Sequence, residues 1–487
     1  MIEIDGVPFF TAANPDQAPD AIQGGLFFRV GMADEDYGNH GITHLVEHLV
    51  FTGMDTRSAH ANGMTTDTYT CFLVHGTADE VVDFLGRIAA NLANLPLERL
   101  EKEKAILRTE ETRRNGAWAE ARNVRHGMRD YGLSGAPEVG LNRLGADDVA
   151  AWVAQYFTAD NAVGFVLAEG FEQDLRLPLP RGERREVPTP SLNPAVDPLP
   201  RAYPFASNLV VVEALVERGP ATAVFAELAG ARFLHELRET DALSYSVRVE
   251  AEVIGPYTVR ISCVADTLPE NGPGVAGCLV DALAALAAGQ FGDDEFDRAL
   301  AAAVEPFDAP LAEQLLITSQ VIDRLFGLDH EPLAEKRDAY SAVTREAVAG
   351  VARAVRDTAL WVSPVRRLEW AGIRNADFTR APVEGHRFSQ AGGVGSITVS
   401  NEGVTLAIPD SGEYTVAFAD CVGVHAYPDG RRTVVGVSGV TLGLEPTLYE
   451  GLSPALLAAL IDSHVPPGRL IPMPARRPGE IPTAGGG

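Results

Sequence analysis

The chain has 487 residues, 46% of them hydrophobic, which is enough for several cores and suggests about three domains. Its formal net charge of −27 excludes a nucleic-acid surface, which needs clustered Lys and Arg, and suits either a cationic peptide ligand or a simple solubility role. No apolar run is long enough to span a membrane, no secretory leader opens MIEIDGVPFFTAANPDQAPD, and Cys71, Cys263, Cys278 and Cys421 form no close pair, so a cytoplasmic protein with reduced thiols is expected.

GGLFFRVGM (Gly24–Met32) predicts a buried strand, followed by the acidic loop Asp34–Asp36 and an apolar helix within Gly41–Gly53. TDTYTCFLVHG (Thr66–Gly76) alternates as a strand. DEVVDFLGRIAANLANL (Asp79–Leu95) and LERLEKEKAILRTEETRR (Leu97–Arg114) predict helices broken at Pro96. NAVGFVLAEG (Asn161–Gly170) is a further strand, and the mixture predicts an α+β unit over residues 1–180. Residues 181–204 hold Pro188, Pro190, Pro194, Pro198, Pro200 and Pro204 and predict a semi-extended linker. A second mixed unit is expected over 205–380, in an element order similar enough to suggest duplication. Short β-like runs with turn residues between them predict a small β domain over 387–475. It ends in the helix SPALLAALIDSHV, with Ser453 as N-cap. Residues 476–487 read as a disordered tail.

Inside the Gly41–Gly53 helix stand His44, Glu47 and His48. Ile42, Leu45, Val46, Leu49 and Val50 recur at helical spacing and face a core, while the three polar residues project from one side. Burying two imidazoles and a carboxylate costs free energy without a partner. H-x-x-E-H inverts H-E-x-x-H and is itself a zinc-protease signature. Imidazoles one turn apart can share a metal that acidifies water, and the glutamate between them can take the proton. The alternative is a buried histidine pair hydrogen-bonded to Glu47 and to backbone carbonyls. A catalytic zinc also needs a third protein ligand. Leu100, Glu103, Leu107 and Glu110 share one stripe of the Leu97–Arg114 helix, which puts both glutamates on its apolar side. Glu110 is the candidate ligand, and Glu103 is a residue that orients one. Glu111 lies about 100° round and is expected in solvent; a solvent-facing charge is also the plain alternative for Glu110.

With these residues in view, FRVGMADEDYGNHGITHLVEHLVFTG and EKEKAILRTE resemble the zinc-site segments of the M16 family, the insulinase-like and mitochondrial-processing-peptidase-like metallopeptidases. The resemblance implies one Zn2+ per chain held by His44, His48 and Glu110, with Glu47 as general base and Glu103 in support. It implies an α+β fold of two tandem LuxS/metallohydrolase-like M16 units. The mainly-β C-terminal region is an addition to that plan, loosely similar to a pleckstrin-homology barrel. NGMTTDTYTCF (Asn62–Phe72) is similar to the family's strand after the motif, with Asn62, Thr65, Thr70 and Phe72 on the family pattern. In the family a peptide adds to that edge as an extra strand. FLHELRETDALSYSV is similar to the family's arginine–tyrosine segment. It implies catalytic, substrate-contacting roles for Tyr245, as an oxyanion donor, and for Arg238, as a holder of a substrate carbonyl or carboxylate. Strand packing and a surface ion pair are the plain alternative for these two.

The resemblance covers about residues 20–375. The interval from His48 to Glu110 is shorter than usual in the family, with the missing residues between Gly53 and Asn62. Gly63 stands where alanine is usual. Both departures are expected to widen or loosen the substrate edge. In the family the zinc site and the arginine–tyrosine segment come from opposite halves of a closed clam-shell. A chain of two such units is therefore expected to pair, with itself or with a paralogous M16 subunit, each lending Arg238 and Tyr245 to the other's zinc site. The implied function is a zinc endopeptidase that cuts small unfolded peptides, basic ones favoured by charge, in an enclosed chamber. The alternatives are a non-catalytic scaffold or partner subunit, and a peptide-binding protein acting through the β domain.

Overall fold

The computed structural model describes residues 1–13, 21–54, 60–111, 116–168, 171, 174–240, 243–409 and 412–483. The first sheet is built from β1 (Ile2–Ile4), β2 (Val7–Ala12), β3 (Ile22–Phe28), β4 (His60–Thr65), β5 (Thr70–Gly76) and β6 (Ala162–Leu167), in the order β1-β2-β6-β3-β5-β4. Its helices are α1 (Ile42–Val50), α2 (Ala78–Ala93), α3 (Leu100–Glu111), α4 (Ala117–His126) and α5 (Ala146–Tyr156). Leu45 and Leu49 of α1, Leu85 and Ile88 of α2 and Val153 of α5 bury one helical face each against Leu26, Phe28 and Phe72 of the sheet. β1 and β2 were not foreseen, although Val7 and Phe9 are fully buried. The Thr66–Gly76 strand begins only at Thr70, because the Thr66 hydroxyl accepts the Thr68 and Tyr69 N–H groups and turns the chain. Residues 112–114 of the second expected helix, Gly170 of the Asn161–Gly170 strand and the Glu111 side chain lie outside the described residues.

The second unit repeats the plan. β7 (Arg201–Pro204), β8 (Leu209–Glu217), β9 (Val247–Val253), β10 (Thr258–Asp266), β11 (Leu360–Ser363) and β12 (Arg374–Asn375) pair in the order β12-β7-β11-β8-β10-β9. In both sheets the parallel pair β2–β6 or β7–β11 is followed by three antiparallel ones, while the outermost pair is antiparallel in the first sheet (β1–β2) and parallel in the second (β12–β7). The helices are α6 (Pro220–Leu234), α7 (Gly272–Ala287), α8 (Asp293–Asp308), α9 (Ala312–Leu315), α10 (Ile317–Leu325), α11 (Leu333–Ser341) and α12 (Arg345–Thr358). α6 therefore stands where α1 stands in the first unit.

Each unit covers the other's sheet. Ile317, Val321 and Leu325 of α10 pack on Phe10, Phe27 and Phe165, while Ala117, Ala121 and Val124 of α4 pack on Val211, Leu360 and Val362. At the seam the fully buried Arg260 pairs with Asp67 at 2.7 Å and Glu252 at 2.8 Å.

The expected linker is corrected in two ways. Arg201–Pro204 is strand β7, whose ladder draws on the Arg201 and Phe205 N–H groups and so tolerates Pro204. The remainder is strapped down, with buried Asn193 donating to Val124 O at 3.0 Å and Ser438 O at 2.8 Å.

The C-terminal domain holds β13 (His386–Ser389), β14 (Ser396–Val399), β15 (Gly403–Ile408) and β16 (Gly412–Ala417) in one sheet. A second sheet takes β17 (Cys421–Ala426), β18 (Arg432–Gly436), β19 (Thr441–Leu444) and β20 (Leu470–Pro472). The sheets share a core of Ile397, Val404, Val434, Leu444 and Leu457, the last from α13 (Pro454–Ile461), whose cap is Ser453. The tail is ordered as far as it is described, contrary to expectation. Half-buried Arg476 pairs with Glu445 at 2.7 Å and Asp429 at 2.8 Å, which anchors the segment. Residues 484–487 lie outside the described residues.

Candidate metal centre

α1 is capped by Gly41, whose φ of 98° favours glycine and where a Cβ would press within 2.9 Å of the Glu138 Cβ. Its leading amides find their partner in the acidic loop. Glu35 accepts the Gly41 and Thr43 N–H groups at 2.9 Å each, and its carboxylate lies 2.6 Å from His40 Nδ1. Burial opposes charge on His40, but the Glu35 hydrogen bond and charge outweigh it and raise the imidazole above its ordinary pKa. Asp34 accepts the Gly31 N–H at 2.8 Å and pairs with buried Arg29.

His44 and His48 follow one turn apart, their rings at 87° and their centroids 4.8 Å apart. α3 packs on α1 and brings Glu110 to them, with Oε2 lying 4.0 Å from His44 Nε2 and 3.7 Å from His48 Nε2. The three donor atoms lie within 4.8 Å of one another. Each imidazole turns its other nitrogen to a carboxylate. His44 Nδ1 is 3.0 and 3.2 Å from the two oxygens of Glu138, and His48 Nδ1 is 3.6 Å from Glu103. Glu103 is held in turn by Arg99 at 2.9 Å. Glu138, within hydrogen-bond distance, fixes the His44 ring, Glu103 stands at ion-pair distance from His48, and both Nε2 atoms are left facing Glu110. Tetrahedral zinc, with bonds of about 2.0–2.2 Å, sets its donors roughly 3.4 Å apart; two imidazoles and a carboxylate are a donor set it takes, and the Glu110 oxygen at 3.7 and 4.0 Å would have to draw in by a few tenths of an ångström to complete it. The Glu110 side chain is 43% exposed, and through it the centre opens to solvent.

Glu47 is buried beside this group. The Thr65 hydroxyl donates to its Oε2 at 3.1 Å, and its Oε1 fills the place of a side chain at Gly63, where a Cβ would come within 2.6 Å. This corrects one expectation: Glu47 occupies the space left by Gly63, and β4 remains fully paired with β5 from His60 to Thr65. Residues 55–59, where the shortened interval was read, lie outside the described residues.

β4 ends the sheet, so its outer backbone edge has no strand on it among the described residues. Thr65 faces Glu47, and alternation puts Asn62, which is exposed, on the opposite face. Thr70 and Phe72 belong to the core instead. Thr70 donates to Val30 O at 2.9 Å, and Phe72 packs edge-on against Phe28. Arg238 lies in the π-helical turn His235–Thr240, a local geometry that recurs at functional sites. Its guanidinium stands 5.1 Å over the Tyr245 ring, and Tyr245 is 78% exposed. These contacts lie within the second unit, whereas the His44, His48 and Glu110 group belongs to the first.

Sequence reasoning missed Glu35 and Glu138. An acid just ahead of a helix start could have flagged Glu35. Glu138 sits in SGAPEVGLN with no periodicity to mark it.

No protein-family model matches the sequence, and no curated protein matches it. Solved structures do. A protease from Helicobacter pylori superposes with a TM-score of 0.64 at 15% identity, over 74% of this chain and 98% of that one. The M16 peptidase inactive domain from Pseudomonas fluorescens gives 0.62 at 15% identity, over 74% and 97%. Pitrilysin gives 0.54 at 14% identity, over 75% of this chain and 45% of its own. The chain has the M16 peptidase fold. The M16 fold alone does not carry the chemistry, since one of these neighbours is an inactive domain. Among the described residues no helix is long and apolar enough to cross a membrane.

Proposed function

We propose that the protein is a zinc-dependent endopeptidase for small unfolded peptides. The observation that carries this reading is the convergence of His44 Nε2, His48 Nε2 and Glu110 Oε2, with Glu47 beside them at an open strand edge. His44, His48 and Glu110 would hold one Zn2+, which when bound supplies a Lewis acid that acidifies water. The peptide backbone adds to the free edge of β4, with Asn62 and Thr65 along that strand. Glu47, fixed by Thr65, takes the proton of the attacking water and returns it to the leaving amine. Two M16-fold units make half of a clam-shell, so a second copy or a paralogous chain completes the chamber and brings Arg238 and Tyr245 to the scissile carbonyl. Tyr245 then donates a hydrogen bond to the developing oxyanion, and Arg238 holds a substrate carbonyl or carboxylate. The net charge of −27 favours basic peptides, and four free cysteines suit the cytoplasm.

The test is Glu47→Gln in the full chain, read by zinc stoichiometry and by mass spectrometry of a peptide library with and without chelator. Zinc is retained and cleavage falls by about 10²-fold or more. Cleavage equal to wild type, or no zinc in either protein, leaves the scaffold reading in its place.

A further inference from the structure

Glu138 comes from neither metal helix, yet its carboxylate spans His44 Nδ1 with both oxygens, at 3.0 and 3.2 Å, and it is 3% exposed. Its segment is wedged onto the start of α1. A Cβ on Gly140 would fall 2.6 Å from the backbone of Asn39 and His40, and Ala136 O lies 3.2 Å from His40 Nε2. The other side of the segment is covered by the C-terminal domain. Tyr37, Leu133 and Val139 of the first unit bury together with Val435 and Ile471 of that domain. Tyr37 Oη lies 2.9 Å from His425 Nε2, with the rings parallel to within 4°. The Met128 N–H donates to Val437 O at 2.9 Å. Lifting the β domain away would expose Val139 and Ile471 to water and remove the apolar clamp from the residues flanking Glu138.

We infer that Glu138 is a positioning residue for His44 and that the C-terminal β domain braces it, so that metal affinity is coupled to the seam between them. The zinc part of this inference rests on the reading proposed above; the histidine geometry does not. A carboxylate on Nδ1 selects the Nδ1–H tautomer, holds the ring and raises the basicity of Nε2. Because the brace belongs to the C-terminal β domain, this chain would tune a metal site of its first unit with a part that lies outside both repeated units.

The experiment uses the full chain as wild type, Glu138→Ala, Glu138→Gln and His425→Ala. Two readouts are taken: zinc Kd by competition with a chromophoric chelator, and imidazole 15N shifts of His44 in metal-free protein. Glu138→Ala weakens zinc about 10–100-fold, and Glu138→Gln, which keeps an acceptor oxygen, weakens it less. His425→Ala, on the far side of the seam, also raises Kd, by less than Glu138→Ala. Metal-free wild type shows His44 as the Nδ1–H tautomer, and Glu138→Ala shows a mixture. An unchanged Kd in Glu138→Ala, or an Nε2–H tautomer in wild type, overturns the role of Glu138. Loss of affinity in Glu138→Ala with none in His425→Ala overturns the brace. If wild type binds no zinc, the endopeptidase reading falls, while the tautomer readout still decides the position of His44. Melting in chelator reports folding, and Glu138→Gln carries the test if the alanine variant melts early.

Discussion

His126, the last residue of α4, makes the seam between the two units sensitive to acid. Its Nδ1 lies 2.6 Å from Ser191 O, and among the described residues its Nε2 has no hydrogen-bond partner. Burial, then the charges of Arg125 and Arg260, push the imidazole from 6.5 down to about 3. The unfolded chain therefore takes a proton below about pH 6.5 that the folded chain refuses until about pH 3. Stability present above 6.5 is lost as pH falls through that window, by at most about 1.36 kcal/mol per pH unit. At pH 5 the loss from this one group comes to about 2 kcal/mol. His126→Asn isolates it, since the Asn amide nitrogen can replace Nδ1 as donor to Ser191 O. The variant is less stable at pH 7 through lost packing, but its denaturant-derived stability falls less steeply toward pH 5. The two proteins therefore approach one another by about 2 kcal/mol. His425, pushed down to about 4 by burial and then by Arg431, has the same sign but is common to both. A stability difference that stays constant between pH 7 and pH 5 would refute the argument.

Two further outcomes are expected. Asp67→Asn strands the buried Arg260 with only Glu252 at 2.8 Å and Glu213 at 3.8 Å. Chemical denaturation should register a loss of about 3 kcal/mol, and an unchanged midpoint would mean the seam does not depend on that pair. Gly63→Ala would put a Cβ 2.6 Å from Glu47 Oε1 and 2.9 Å from its Cγ, so the carboxylate must leave its seat on β4. Zinc stoichiometry stays the same while peptide cleavage drops by up to about 10²-fold; full activity in this variant would show that Glu47 needs no support from β4.

What the sequence disclosed follows from how locally each feature is encoded. α1 and its three polar residues were legible because helical periodicity and a five-residue motif lie in one stretch. Glu110 was legible because Leu100 and Leu107 marked the stripe it shares. β3 and β6 were visible as apolar runs, whereas β1 and β7 are short, and β2 carries Pro8 and Thr11 within its apolar run. The pairing of β2 with β6 and of β7 with β11 is decided by partners more than 100 positions away, and β1 follows by pairing with β2. Glu138 was invisible for the same reason. It reaches His44 across 94 positions, and only the folded chain reveals the meeting.

The two copies of the unit separate what the fold needs from what the chemistry needs. α1 and α6 follow the equivalent strands β3 and β8 and bury an apolar face on equivalent sheets. α6 does so with Val224, Phe225, Leu228 and Phe233, and carries neither the histidines nor the glutamate of α1. The topology is therefore satisfied by apolar spacing alone, and His44, Glu47 and His48 are additions that packing does not require. They instead oblige the first unit to recruit Glu103, Glu110 and Glu138 as partners, because two imidazoles placed near a core would otherwise be poorly compensated. Three acidic side chains from two separate segments thus converge on one pair of rings, in a helix whose counterpart folds without any of them. A requirement of stability would have left its mark on both copies, and this mark is on one, as expected for a site kept for its chemistry.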